Sequence, residues 1–332
     1  MKLLITGGAG YIGSHMVKYA QELGYEVVVL DNFSTGHEWA VKECEILRVN
    51  LLDEYKLSRL LKGKSFDGVI HFAAKSLINE SVKNPLIYYQ NNVVGTINLI
   101  NEMLKNNLNN LVFSSTAAIF GNPIKERIDE DHPKNPINPY GHSKLMTEKV
   151  LQDVSFLNGL NVVSLRYFNA AGAHESGELG EIRNPETHLI PNVLNEALRK
   201  DGKLEIFGND YPTLDGTCFR DFVHVNDLAQ AHLLGLDFLK KNKGFSAFNL
   251  GNAEGFSIFD VIKSCERITK RKISFQINDR RSGDPAILVS DNKLAISSLK
   301  WDPKYKDIDS IVETAWAWQS SAEFSKRVSD LV

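Results

Sequence analysis

The sequence predicts an α/β protein, a doubly wound parallel sheet joined to a smaller α/β domain. Three observations predict it. Short, continuously apolar runs alternate with helical patterns through the first half of the chain. The first of these runs leads into Gly7-Gly8-Ala9-Gly10-Tyr11-Ile12-Gly13, which opens a helical pattern. After about Ala173 the alternation gives way to loop-rich segments. Strands that are apolar at every position belong to sheets covered on both faces, and such sheets are parallel.

Taken in order, Leu3–Ile5 is the first buried strand. Ile12, Met16, Val17, Ala20 and Leu23 then recur at helical spacing, and Gly24 is placed to end that helix. Val27–Leu30 and Val69–Phe72 are the next strands. Val93, Val94, Ile97, Ile100, Met103 and Leu104 form the helical face before the strand Leu111–Phe113. The segment from Pro133 to Pro139 is a loop that delivers Tyr140 near the start of a helix. Val162–Leu165 is a further strand. Beyond it, His174 to Thr187 and Asn209 to Gly216 read as loops, the first of them exposed. A strand-like run returns at Phe248-Asn249-Leu250-Gly251, and Ile311 to Gln319 is a helix whose Trp316 and Trp318 serve packing. The expected division is residues 1–173 and 174–332, with parts of 219–250 threading back to the first domain.

Of the 332 residues, 43% are hydrophobic and 24% charged, enough for one large or two intimately joined globular domains. A net charge of −3 argues against nucleic acid or an anionic membrane as the main partner. No apolar run is long enough to span a bilayer, and the opening apolar stretch is too short for a secretory signal. Cys44, Cys218 and Cys265 lie far apart without metal-ligand spacing. Isolated thiols in a reducing cytoplasm, and no metal, are therefore expected.

The glycine cluster follows a strand and starts a helix, so backbone N–H groups can approach a pyrophosphate at the positive helix end. The second strand ends at Asp31, 18 residues beyond Gly13. An acid there accepts hydrogen bonds from adenosine ribose hydroxyls and repels a 2′-phosphate, which favours NAD over NADP. This is the pattern of a Rossmann-type sheet. Its cofactor crevice lies at the carboxyl ends of the strands, which places Asn50, Leu51, Phe72, Ala73, Ala74 and Ser114 to Thr116 along it.

Tyr140 and Lys144 stand four residues apart, on one helical face. An ammonium beside a phenol favours the phenolate, and a phenolate can take a proton from an alcohol hydroxyl. Lys144 can also hold the nicotinamide ribose. Thr116, at the end of a strand, can orient a substrate hydroxyl or relay its proton. A base for the O–H proton beside a nicotinamide for the C–H hydride makes an alcohol-oxidising site.

Gly7 to Gly13, Ser114-Ser115-Thr116 and Tyr140 to Lys144 resemble the extended short-chain dehydrogenase/reductase family. Leu30-Asp31-Asn32, His71 to Ala74, Asn91-Asn92-Val93, Arg166 to Asn169 and Gly216 to Val225 extend the resemblance from Lys2 to about Trp318. Within that family the combination is similar to members that epimerise nucleotide sugars. The resemblance implies interconversion of UDP-glucose and UDP-galactose with tightly held NAD. Tyr140 would remove the 4-hydroxyl proton, hydride would leave C4, and the 4-keto sugar would rotate before hydride returned to its other face. It implies NAD contacts from Gly7, Gly10, Tyr11, Ile12, Gly13, Asp31, Asn32, Asn50, Leu51, Phe72, Ala73, Ala74, Asn91, Ser114, Tyr140, Lys144 and Tyr167.

For the UDP-hexose it implies Thr116, Phe168, Asn169, His188, Leu189, Phe207, Arg220, Arg281 and Asp284. Guanidinium forks at Arg220 and Arg281 match diphosphate oxygens, and Asp284 is placed for the uridine ribose. His188 stands where some members carry asparagine. Asn50 stands where an acid often meets the adenine amine, and its amide oxygen can still accept that bond. Leu288 stands near the sugar 2-position and is smaller than tyrosine, which leaves N-acetylated hexoses open as substrates. UDP-uronates and UDP-pentoses are further alternatives. A 4,6-dehydratase needs an acid pair after Thr116, where this chain has Ala117, Ala118, Ile119 and Phe120. An NAD-sensing regulatory protein would have no use for Tyr140, Lys144 and Thr116 together. The resemblance also implies a homodimer, through the helix of Val93 to Leu104 and the helix after Tyr140.

Overall fold

Apolar side chains on both faces of the inner strands decide where the sheet lies. In the computed structural model, which describes residues 1–199, 203–281 and 284–330, the chain begins with six parallel strands. They are β1 (Lys2–Thr6), β2 (Glu26–Asp31), β3 (Glu45–Arg48), β4 (Gly68–His71), β5 (Asn110–Thr116) and β6 (Asn161–Tyr167). A seventh, Phe245–Leu250, pairs in parallel with β6. Across the sheet the order is Phe245–Leu250, β6, β5, β4, β1, β2, β3. The chain therefore steps outward from β1 to β3 and then restarts on the other side of β1. That reversal opens a crevice beyond the carboxyl ends of β1 and β4.

Within β1, Leu3 and Ile5 join one core layer and Leu4 the other; β2 repeats this with Val27 and Val29 against Val28 and Leu30. Helices Tyr11–Glu22 and Val225–Lys241 cover the first layer through Met16, Ala20, Leu228 and Leu236. Helices Glu54–Leu61 and Gly95–Lys105 cover the second through Leu57, Leu61, Leu99 and Met103. Each such leucine contributes about 1.5–3 kcal/mol of burial.

The later chain forms a further core around helices Leu189–Leu198, Ile258–Thr269 and Ile308–Gln319. Three departures from the sequence reading stand out. Strand β3 carries no continuous apolar run; its pattern is half-exposed, as suits an edge. The returning strand starts at Phe245, before the apolar run. The segment from His174 to Thr187 is a loop, but His174, Leu179 and Glu181 are buried. The reason is tertiary: Trp318 packs so closely on Gly180 that a Cβ there would sit 2.2 Å from the indole, and Trp318 Nε1 donates to Glu181 O. Trp318 also stacks on Trp39, which stacks in turn on His37, so the last helices brace the loop after β2.

No helix among the described residues is long and apolar enough to cross a membrane.

Candidate active site

Gly7 follows β1 with φ +69°, where L side chains are strained, and its N–H donates to Leu30 O at 2.8 Å. The turn closes with Gly10 N–H on Gly7 O at 3.2 Å, and Gly10 caps the helix Tyr11–Glu22. A Cβ on Gly13 would lie 2.2 Å from Gly7 O and 2.9 Å from Gly8 Cα, both backbone atoms. Gly13→Ala is therefore expected to lower stability by about 1–3 kcal/mol, read as a lower urea midpoint at unchanged slope. Gly10 differs. A Cβ there would meet only Gly7 O, at 3.4 Å, so the space beside this helix start is open to a group from outside the chain.

Asp31 is buried at the end of β2. Its Oδ2 accepts from Ala9 N at 2.9 Å and its Oδ1 from Phe33 N at 2.8 Å. It thus ties the glycine turn to β2, a role the sequence did not reveal. Each oxygen keeps a lone pair for a ribose hydroxyl. The open N–H end, the spare carboxylate lone pairs and the strand-end crevice fit a dinucleotide. Asn32 Oδ1 accepts from Ser34 N and Asn50 Oδ1 from Leu52 N, both at 2.9 Å. The Asn50 oxygen expected to be free for an adenine amine is thus already shared with backbone. Leu51 is buried, and its carbonyl accepts from Asn98 Nδ2. Just past β4, Phe72 and Ala73 donate their N–H groups to Thr6 O at the end of β1, and Ala74 follows them in the chain. Asn91 lies in a π-helical turn, Tyr89–Val94, that precedes Gly95–Lys105. The neighbouring Asn92 bridges Lys75 O and Ser143 Oγ, each at 3.0 Å.

Asn138 caps the helix Pro139–Asn158 by accepting from Gly141 N, and Pro139 starts its first turn. Tyr140 and Lys144 project from this helix toward the end of β5. Both are buried. Lys144 Nζ donates to Ser114 O at 2.8 Å and lies 4.8 Å above the Phe113 ring. Ser114 Oγ is hydrogen-bonded to Tyr167 OH. Thr116 Oγ1 accepts from Ala118 N at 3.1 Å, and its hydroxyl faces the Tyr140 phenol and lowers it. The residues expected for chemistry, Thr116, Tyr140 and Lys144, are therefore together.

Their electrostatics depart from the sequence expectation. Burial pushes the Tyr140 phenol above its ordinary range, and the Thr116 hydroxyl and the Arg183 charge pull only part of the way back. Burial brings the Lys144 ammonium down to about 7. In the polypeptide alone, desolvation outweighs any lowering of the phenol by Lys144.

Phe168 is buried, and Asn169 Nδ2 donates to Asp221 O at 2.8 Å. His188 caps the helix that starts at Leu189. Its Nδ1 lies 2.9 Å from Glu181 Oε1, so that carboxylate orients the ring. Phe207 ends a short strand, and Arg281 stacks on its ring at 3.8 Å. Arg220 donates to Phe219 O at 2.9 Å and Pro285 O at 2.8 Å, and pairs with Asp284 at 3.4 Å. Both guanidinium groups are thus held by this chain's own atoms. Ser282 and Gly283, between Arg281 and Asp284, lie outside the described residues. Leu288 packs with Phe168 and Phe120.

Sequence reading missed Arg183 and Glu181. Arg183 Nε lies 2.5 Å from Glu181 Oε1, and its charge reaches both Tyr11 and Tyr140. Tyr11 itself donates to Gly172 O at 2.6 Å. The alternating charges of Glu181, Arg183, Glu186 and His188 were the available signal. Ligand atoms of Glu181, Glu186 and His188 lie within 4.8 Å of one another. Arg183 already holds that position with a fixed positive charge, so the group is an ion-pair cluster.

Residues 3–251 match the NAD dependent epimerase/dehydratase family. The chain is 47% identical to the UDP-glucose 4-epimerase of Halalkalibacterium halodurans, over 96% of this chain and 95% of that one. It superposes on the UDP-glucose 4-epimerase of Brucella ovis in complex with NAD with a TM-score of 0.92, at 44% identity over 95% of this chain and 97% of that one. The UDP-Glc/GlcNAc 4-epimerase of Campylobacter jejuni gives a TM-score of 0.84 at 42% identity, over 96% of this chain and 98% of that one.

Proposed function

The chain belongs to the NAD dependent epimerase/dehydratase family, and from that premise we propose that it interconverts UDP-glucose and UDP-galactose by inverting C4 of the hexose. The observation that carries this reading is the meeting of Thr116, Tyr140 and Lys144 at the carboxyl end of β5, the same end of the parallel sheet as the glycine turn. When bound, NAD supplies a reversible two-electron acceptor for the C4–H of the sugar.

The chain's own residues do the rest. Tyr140 Oη takes the 4-hydroxyl proton and gives it back after the other face of C4 is presented. Thr116 accepts from Ala118 N, which leaves its O–H free to orient the phenol or the sugar oxygen. Lys144 would hold the ribose of a bound coenzyme and supply positive charge to the phenolate. The clamp of Phe207, Arg220, Arg281 and Asp284 holds the UDP while looser contacts let the hexose turn. Arg220 and Asp284 exchange their mutual pairing for diphosphate and ribose. Arg220→Ala is expected to raise KM for UDP-galactose about 10- to 100-fold with little change in kcat, the loss of one charged hydrogen-bonding group. Steady-state kinetics over a range of UDP-galactose checks this.

Leu288 adds N-acetylhexosamines to the substrates we propose, because leucine leaves more room beside Phe168 than tyrosine does. A homodimer in the cytoplasm is part of the same reading. Val94 and Met146, on two packed helices, are 43% and 46% exposed and supply an apolar face. The deciding experiment incubates the purified protein with UDP-galactose, UDP-N-acetylgalactosamine and the pentose and uronate analogues, and resolves the products. Equilibration of UDP-galactose with UDP-glucose supports the reading; equilibration of none overturns it.

A further inference from the structure

Glu148 stands four residues beyond Lys144 and eight beyond Tyr140, on the same helical face. Its side chain is 1% exposed and that of its partner Arg166 is 3%. Charges so deep are rare, and a buried pair adds little net stability over apolar residues of equal volume. Its bonds indicate another use. Glu148 Oε1 accepts from Ser115 Oγ at 2.7 Å, Ser164 Oγ at 2.8 Å and Arg166 Nε at 3.0 Å. Its Oε2 accepts from Arg166 Nη2 at 2.7 Å. Ser115 lies on β5 between Ser114, which receives Lys144, and Thr116. Ser164 and Arg166 lie on β6, which ends at Tyr167. One carboxylate thus touches every element that carries a reacting group.

We propose that Glu148 is a positioning residue: clamped by Arg166, it locks the helix Pro139–Asn158 onto β5 and β6, so that Tyr140, Lys144 and Thr116 meet around one hydroxyl. The proposal rests on the epimerase reading and adds to it a side chain bonded to neither Tyr140 nor Lys144. At 1.5 Å per residue, Glu148 sits about 6 Å along the helix from Lys144 and about 12 Å from Tyr140. A slide of this helix misplaces both groups at once. Its charge acts as well: it raises the Lys144 ammonium against the lowering by burial.

The other groups facing these residues are known. Lys144 faces Phe113 and the Ser114 carbonyl, and its charge reaches His71 on β4. Glu148 also acts on Lys134 in the preceding loop. Arg166 reaches the Glu130 carbonyl, and its charge acts on the Glu130 carboxyl.

Glu148→Gln would turn an amide N–H toward the Arg166 fork and strand a buried cation, so it can fail by unfolding. The paired variant Glu148→Met/Arg166→Met removes both charges at similar volume and is expected to keep the wild-type urea midpoint. In the full chain with its coenzyme, its kcat for UDP-galactose is expected to fall about 10- to 100-fold with KM unchanged. The alkaline limb of its pH profile should move down by about one pH unit as Lys144 loses its counter-charge. A readout independent of turnover is the Tyr140 phenolate, taken as the difference in tyrosinate absorbance between each background with and without Tyr140→Phe. It should titrate at higher pH in the paired variant, because a displaced helix moves the phenol away from the Thr116 hydroxyl that lowers it. A folded paired variant with wild-type kcat, pH limb and Tyr140 titration would overturn the proposal. Wild-type protein inert toward every UDP-sugar would sink the epimerase reading instead, and the titration would still judge Glu148.

Discussion

Replacing Tyr140 by phenylalanine is expected to lower kcat for UDP-galactose about 10²- to 10⁴-fold, the range for removing a general acid–base group. The substitution deletes one oxygen. The ring keeps its edge-on packing against Tyr88 and its place in the crevice wall. Thr116 keeps its bond from Ala118 N, so the fold should survive. KM should change little, because Phe207, Arg220, Arg281 and Asp284 lie on other elements. The coenzyme should also stay bound, since the glycine turn and Asp31 are untouched. Single-turnover and steady-state rates, with bound nucleotide measured after denaturation, check all three expectations. Wild-type turnover in this variant would remove Tyr140 from the chemistry.

The second large effect is on stability, and it comes from histidines. Burial lowers His15 and His232 to about 4, and His71 and His224 to about 3. Unfolded, each titrates near its ordinary value of about 6.5. Between those values the unfolded chain binds protons that the folded chain refuses. The stability they confer is therefore complete above about pH 6.5 and is lost as pH falls toward 4. Each histidine contributes about 1.4 kcal/mol per pH unit in that window. Asp221 works in the opposite direction: burial raises its carboxyl to about 6, so it favours the folded state as pH falls below that value.

For these five groups together the loss is about 4 kcal/mol per pH unit below 6, set against a usual total of about 5–15 kcal/mol, and Glu130, Glu186 and Asp227, whose carboxyls burial also raises, offset part of it. His71 shows the contact at stake. Thr96 donates to Asn92 O, so it accepts from His71 Nε2, and His71 Nδ1 must accept from Thr6 at 2.5 Å. A second ring proton breaks the Thr6 contact, directly before Phe72. Urea midpoints from pH 7.5 to pH 5 should fall steeply below about 6.5. Flat midpoints would refute the account.

What the sequence made legible was local. The glycine turn, the inner strands and the Tyr140/Lys144 face each follow from spacing within a few residues. Edge strand β3 was invisible because a half-exposed strand lacks the apolar run. The burial of Leu179 and Glu181 depended on Trp318, more than a hundred residues away. The clamp was readable as residue types, but not that Arg220 would already hold Pro285 O and Asp284. The phenol's own electrostatics were misread for a related reason: spacing shows that a cation is near, whereas the depth that desolvates both groups is a property of the whole fold.

The returning strand Phe245–Leu250 has a consequence for synthesis. The outer rim of β6 stays bare until about 80 further residues have been made. At about 5–20 residues per second, that leaves an unpaired hydrogen-bonding ladder for about 4–16 s. During that interval a neighbouring nascent copy could pair where the chain's own strand belongs. Slowed translation between β6 and residue 250, or a truncation before it, should therefore favour aggregates, and restoring the missing strand in trans should dissolve the tendency.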